Sequence, residues 1–126
     1  MEPVPVAVGA LYVALGGALG SVGRYLVGVA VQNAARPGWI ATLLVNVLGA
    51  FVMGVLLGVA PPRRTTLLLG TGILGGFTTF STLTADVGML FGPLGDWRGL
   101  AYAFGSVTLG VGAFYVGRAA GAALGG

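Results

Sequence analysis

The chain of 126 residues contains no cysteine, no histidine and no lysine, and little charge of either sign. Without cysteine it has no disulfide, no thiol nucleophile and no thiolate metal site. Without histidine it lacks the commonest general base and metal ligand. Without lysine it cannot build a Walker-type phosphate grip. Three acids and six arginines amount to 7% of residues, whereas a soluble domain carries about 25% charged side chains to face water. The arginines are scattered rather than gathered into a basic run, so the formal charge of +3 supports no nucleic-acid partner. Covalent catalysis and ATP hydrolysis are equally unsupported, and the chain reads as a non-enzyme.

What is present is apolar. Hydrophobic residues make up 56% of the chain, and the mean hydropathy is +0.99. The solvent this composition suits is a lipid bilayer. A hydrocarbon core about 30 Å thick takes roughly 20 helical residues to cross. Four crossings use about 80 to 100 residues, so little remains beyond short turns. Twenty-five glycines lie among Leu, Val and Ala rather than in polar repeats, a density that suits close helix packing in lipid. The start, Met-Glu-Pro-Val-Pro, lacks the positive n-region of a secretory signal, so the apolar stretch after it reads as a retained first span.

Polar, proline- or glycine-bearing clusters at Asn33–Gly38 (NAARPG), Ala60–Arg64 (APPRR) and Gly92–Arg98 (GPLGDWR) divide the chain. They predict an all-α, single transmembrane domain over 1–126, with spans near 6–32, 39–60, 65–91 and 99–124. Length decides for helices, because lipid-facing strands would be about ten residues long and would alternate. Setting aside Arg24 within span 1, one membrane side holds Arg63, Arg64 and Arg118 and the other holds Arg36 and Arg98. Three against two is a poor orientation signal, and it permits an antiparallel dimer of oppositely inserted copies. Small-xxx-small ridges at Gly16/Gly20, Gly54/Gly58 and Gly117/Gly121/Gly125 point to helix packing.

Polar groups at bilayer depth are costly, so each is a candidate site. Asn46 lies mid-span on one face with Thr42, Gly49 and Met53. Its amide offers N–H donors to an anion, or an interhelical hydrogen bond. In GTGILGGFTTFST (residues 70–82), a Gly-Gly pair followed by β-branched threonines should weaken a continuous helix. Carbonyls freed there must face protein, water or an ion, and broken helices of this kind hold small cations. The alternative is a packing notch whose hydroxyls bond back to their own helix. Phe80 and Leu83, three apart, fall on one face; a phenyl edge is positive and can approach an anion. Arg24 either draws anions to a vestibule or snorkels to the interface. Asp86 either pairs with an arginine or is an exposed helix-end acid. Tyr102 and Ser106 share a face of span 4, and either continue a polar track or bond to backbone.

On GGALGSVGRYL in span 1, TLLVNVLGAFVMG in span 2 and GILGGFTTFSTLTAD in span 3, the chain resembles the Fluc (CrcB) family of fluoride channels. The third segment is the most specific. The resemblance implies an antiparallel dual-topology homodimer with two parallel fluoride pores, passive electrogenic fluoride export and a location in the plasma (inner) membrane. It implies a structural sodium ion on the dimer axis, held by the backbone carbonyls of Gly75 and Thr78 from each copy. By motif position Asn46 matches the pore asparagine, Phe80 the first pore phenylalanine and Arg24 the span 1 arginine. Thr79, Ser81 and Thr82 match the hydroxyl-rich pore lining, with Tyr102 and Ser106 as span 4 counterparts. Two residues depart from the pattern: Leu83 stands where a second phenylalanine is usual, and Asp86 where a glutamate often follows. The leucine removes a ring edge, which implies altered conduction or a heterodimer with a paralogue that supplies the working pore. The rival readings are a small multidrug-type transporter and a non-transporting assembly protein. The former wants a membrane-embedded glutamate in span 1, whereas the only glutamate is Glu2.

Overall fold

A computed structural model describes residues 3–92 and 96–125. The initial Met-Glu pair, the centre of the GPLGDWR turn and the final residue lie outside the described residues. Four helical segments are long and apolar enough to cross a membrane: span 1 (Val6–Asn33), span 2 (Gly38–Val59), span 3 (Arg63–Leu90) and span 4 (Trp97–Gly125). No strand occurs among the described residues. At about 1.5 Å per residue, even the 22 residues of span 2 exceed a hydrocarbon core.

The turns follow from their residues. Pro37 and Pro62 immediately precede new helices, where a missing N–H costs no helical bond. Span 2 ends on Ala60 in the left-handed region (φ 55°), and the Pro61-Pro62 pair beyond it cannot extend the helix. Asp96 precedes span 4 and accepts from the Arg98 N–H at 2.9 Å. The Arg98 guanidinium bonds and pairs with the same carboxyl, holding it below the usual carboxylate range.

Span 2 packs along span 4, and span 1 packs against the first half of span 3. Both contacts are made by glycines at backbone-to-backbone distance. A Cβ on Gly54 would overlap the Phe114 carbonyl, and one on Gly117 would overlap that of Phe51. Across the other contact, a Cβ on Gly16 would meet the Leu68 carbonyl and one on Gly20 that of Ile73. In lipid, where burying apolar surface gives no net drive, this close van der Waals approach holds helices together. The interior is correspondingly small. Leu11, Leu15, Leu19, Val22 and Leu26 form an outward stripe on span 1, each more than half exposed.

Span 3 is not one regular helix. It runs as a single turn (Arg63–Thr65), a π-wound stretch (Thr66–Leu74) and a short α segment (Gly75–Phe77), then breaks and resumes as Phe80–Leu90. The break falls on the threonines, not on the glycines. Thr78 (φ −86°, ψ 157°) and Thr79 (φ −151°, ψ 119°) are extended, a conformation β-branched residues favour. Gly75 and Gly76 stay helical. Gly76 serves close packing instead, since a Cβ there would come within 2.5 Å of the Gly17 carbonyl.

Candidate functional site

The break is held by side chains from two other spans. Asn46 Nδ2 donates to the Thr79 carbonyl at 2.9 Å, and Asn46 Oδ1 accepts the Thr79 N–H at 2.7 Å. The amide thus pairs with the backbone of one residue on both sides, as a strand neighbour would. One Nδ2–H is left over. The interhelical bond foreseen as an alternative for Asn46 is present, and it consumes the carbonyl and one donor. From span 1, Arg24 Nε donates to the Gly76 carbonyl at 3.1 Å. Thr78 bonds back to the Leu74 carbonyl through both N–H and Oγ1, each at 3.0 Å. Gly49 makes room for it, because a Cβ there would strike the Thr78 methyl.

Thr79 caps the second half of span 3. Its Oγ1 accepts the Thr82 N–H at 3.1 Å and also contacts Ser81 Oγ (3.2 Å) and Thr82 Oγ1 (3.1 Å). Such a cap satisfies one of the donors a helix start leaves open. Two carbonyls lose their helical donors as a result. Thr79 N–H would have closed on Gly75, and Thr82 N–H on Thr78. Gly75 and Thr78 are the pair implied for sodium. Neutral oxygens of this kind, without a carboxylate, suit a hard cation of low charge. No cluster of three or more acidic, cysteine or histidine residues offers a metal site among the described residues.

A cavity of about 560 Å³ opens beside the break, lined in part by Arg24, Arg36, Gln32, Thr42, Thr79 and Thr82. Two arginines and, among the described residues, no acid line it, so its field favours anions. Gln32 and Arg36 were not singled out from the sequence as site residues. Arg24, Gly28 and Gln32 recur at every fourth position of span 1, a one-face spacing that would have shown Gln32, whereas Arg36 lies beyond the end of that helix and is brought in by the turn.

The remaining candidates are not gathered into this cavity. Tyr102 and Ser106 line a second, mostly apolar one of about 340 Å³ with Trp39, Leu43 and Phe91. Tyr102 forms an aromatic cluster with Trp39 and Phe91, at centroid distances of 5.5 and 5.3 Å. Its single hydroxyl proton is shared between two acceptors in reach, the Trp39 carbonyl (3.3 Å) and Asp86 Oδ2 (3.2 Å). Ser106 Oγ is buried and has no hydrogen-bond partner among the described residues. Asp86 therefore meets a phenol, neither pairing with an arginine nor standing free. Phe80 and Leu83 do not share surroundings: Phe80 is 75% exposed and Leu83 only 8%. Phe80 opens the second half of span 3 and turns outward with Ser81, whereas Leu83, one turn on, packs inside the protomer.

The family model described as "CrcB-like protein, Camphor Resistance (CrcB)" matches residues 11–118. The chain belongs to the CrcB family. This CrcB-family chain is similar to a Caulobacter vibrioides protein named "Fluoride-specific ion channel FluC", 40% identical over 114 residues, covering 85% of this chain and 90% of the relative. A Thermus thermophilus protein of the same name is 44% identical over 122 residues, covering 90% and 95%. A Moorella thermoacetica protein named "Fluoride-specific ion channel FluC 2" is 41% identical over 105 residues, covering 80% and 86%. The match to the CrcB model takes in the helix break, the asparagine that holds it and both arginine-bearing stretches of spans 1 and 3.

Proposed function

We propose that the chain is a fluoride-selective channel of the plasma (inner) membrane, giving passive, electrogenic release of fluoride and protecting the cell from it. The observation that carries this reading is the cavity holding Arg24 and Arg36, lined by no acid among the described residues, which reaches Thr79 and Thr82 at the span 3 break. The CrcB-family relatives named as fluoride-specific channels support the choice of ion.

Fluoride is small and tightly hydrated, so a path for it must offer donors in place of water. The spare Nδ2–H of Asn46, the hydroxyls of Thr79, Ser81 and Thr82 and the hydroxyl of Ser106, unpartnered among the described residues, are such donors, with Tyr102 beside them once its proton is released from Asp86. The positive ring edge of Phe80 adds a weaker contribution. Selectivity against chloride then rests on donor spacing and width. The reading includes an antiparallel homodimer with two pores. Outward-facing Phe80 and Ser81 support it, since they contribute to a path only against a second copy. Gly75 and Thr78 of each copy would hold a structural sodium ion through their carbonyls, and that ion would supply a fixed positive charge at the dimer centre.

Fluoride efflux from proteoliposomes, followed with a fluoride electrode and compared with chloride, tests the reading. Fast fluoride-selective release that needs an ionic shunt is expected, and no release from well-folded protein would overturn the homodimeric channel. A heterodimer with a paralogue is favoured by Leu83 alone, because a buried aliphatic residue stands where the family usually has a ring. Rapid selective flux from the chain expressed by itself would sink that alternative.

A further inference from the structure

Resting on the reading of a cation held by backbone carbonyls, we propose that Asn46 and Thr79 are the positioning residues of that site. They capture the two N–H groups that would otherwise close on the Gly75 and Thr78 carbonyls. In a bilayer every backbone donor must find an acceptor. Left alone, the Thr79 and Thr82 N–H groups would return to the carbonyls four residues back, and span 3 would become a continuous helix. Asn46 Oδ1 takes the first at 2.7 Å, and Thr79 Oγ1 takes the second at 3.1 Å.

Three neighbouring carbonyls are occupied by other donors. Leu74 accepts from Thr78, Gly76 from Arg24 and Thr79 from Asn46. Gly75 is exposed and Thr78 half-buried at the protomer surface, where a second copy could bring its own pair. Asn46 therefore acts on the cation without touching it. The anion path and the cation site share one side chain, so a change at Asn46 reaches both.

The test is the sodium concentration that half-maximally stabilises the purified protein against thermal unfolding in detergent. Sodium is exchanged for N-methyl-D-glucamine at constant ionic strength, and unfolding is followed by the fluorescence of Trp39 and Trp97. Losing one such hydrogen bond should raise the midpoint about tenfold in Asn46→Leu and in Thr79→Val. Asn46→Asp keeps the acceptor for Thr79 N–H and should stay closer to the parent. Gly117→Ala, which loosens a distant contact, should lower the unfolding temperature at every sodium concentration and leave the midpoint in place.

If the parent responds to sodium and both Asn46→Leu and Thr79→Val keep its midpoint, this proposal is overturned while the cation reading stands. If the parent shows no sodium response, the cation reading fails and takes this proposal with it. Should Asn46→Leu not fold, Thr79→Val and Asn46→Asp decide by the same midpoint.

Discussion

The Tyr102 phenol donates to Asp86 Oδ2 across 3.2 Å, tying the start of span 4 to the second half of span 3. The same hydroxyl reaches the Trp39 carbonyl at 3.3 Å, so one oxygen joins three spans. Both contacts are partly buried, where a hydrogen bond to a carboxylate is worth about 1.5 to 3 kcal/mol. The two residues should behave as a unit. A double-mutant cycle of Tyr102→Phe and Asp86→Asn, read by thermal unfolding, is expected to give a coupling of about 0.5 to 3 kcal/mol. Strict additivity would mean that the contact contributes nothing.

The glycine ridge between spans 2 and 4 leads to a stability prediction. An alanine at Gly117 would run into the Phe51 carbonyl, which is backbone and cannot swing aside. Overpacking of this kind costs about 1 to 3 kcal/mol, so Gly117→Ala should unfold at a lower temperature. At Gly112 on the same span, a methyl group would meet nothing within 4 Å. Gly112→Ala should leave the protomer unchanged or slightly stabilised, because alanine is the better helix former.

Phe80 separates conduction from stability. Its ring is exposed in the protomer, and an exposed substitution generally moves stability by about 0.5 kcal/mol or less. Phe80→Leu should therefore unfold like the parent. Removing a ring edge worth about 0.5 to 1.5 kcal/mol should slow fluoride efflux roughly twofold to thirteenfold. Unaltered efflux would take Phe80 out of the path.

Arg24 carries a charge and a specific bond, and the two can be told apart. Arg24→Lys keeps the positive field of the cavity and loses the Nε–H bond to Gly76. Arg24→Gln loses the charge. If the charge attracts anions, efflux by Arg24→Gln should fall most at low ionic strength, and the gap should close as salt screens the field. Arg24→Lys should keep the salt dependence of the parent, with a loss independent of salt. Equal behaviour of the two variants would assign Arg24 to the helix break alone.

The membrane class, the four helical spans and a weakened third span were legible in the chain, because each depends on local quantities. Run length against bilayer thickness places the spans, and scarce charge excludes a water-facing surface. The segment around Gly75 to Thr82 announces a break by composition. Its place was not legible. Intrinsic flexibility points to the glycines, but the bonds that hold the chain open come from Asn46, 33 residues away, and these fall on Thr79.

Site membership divides in the same way. Sequence spacing puts Phe80 and Leu83 on one face, yet the first turns outward and the second packs inside. Asp86 looked for an arginine and meets Tyr102. By itself the sequence determined the solvent, the number of crossings and the polar residues that had to be accounted for, since burial cost and helix length are properties of short segments. Only the tertiary structure decided which backbone groups are satisfied and which are left open, because each such group takes whatever donor or acceptor the neighbouring spans bring to it.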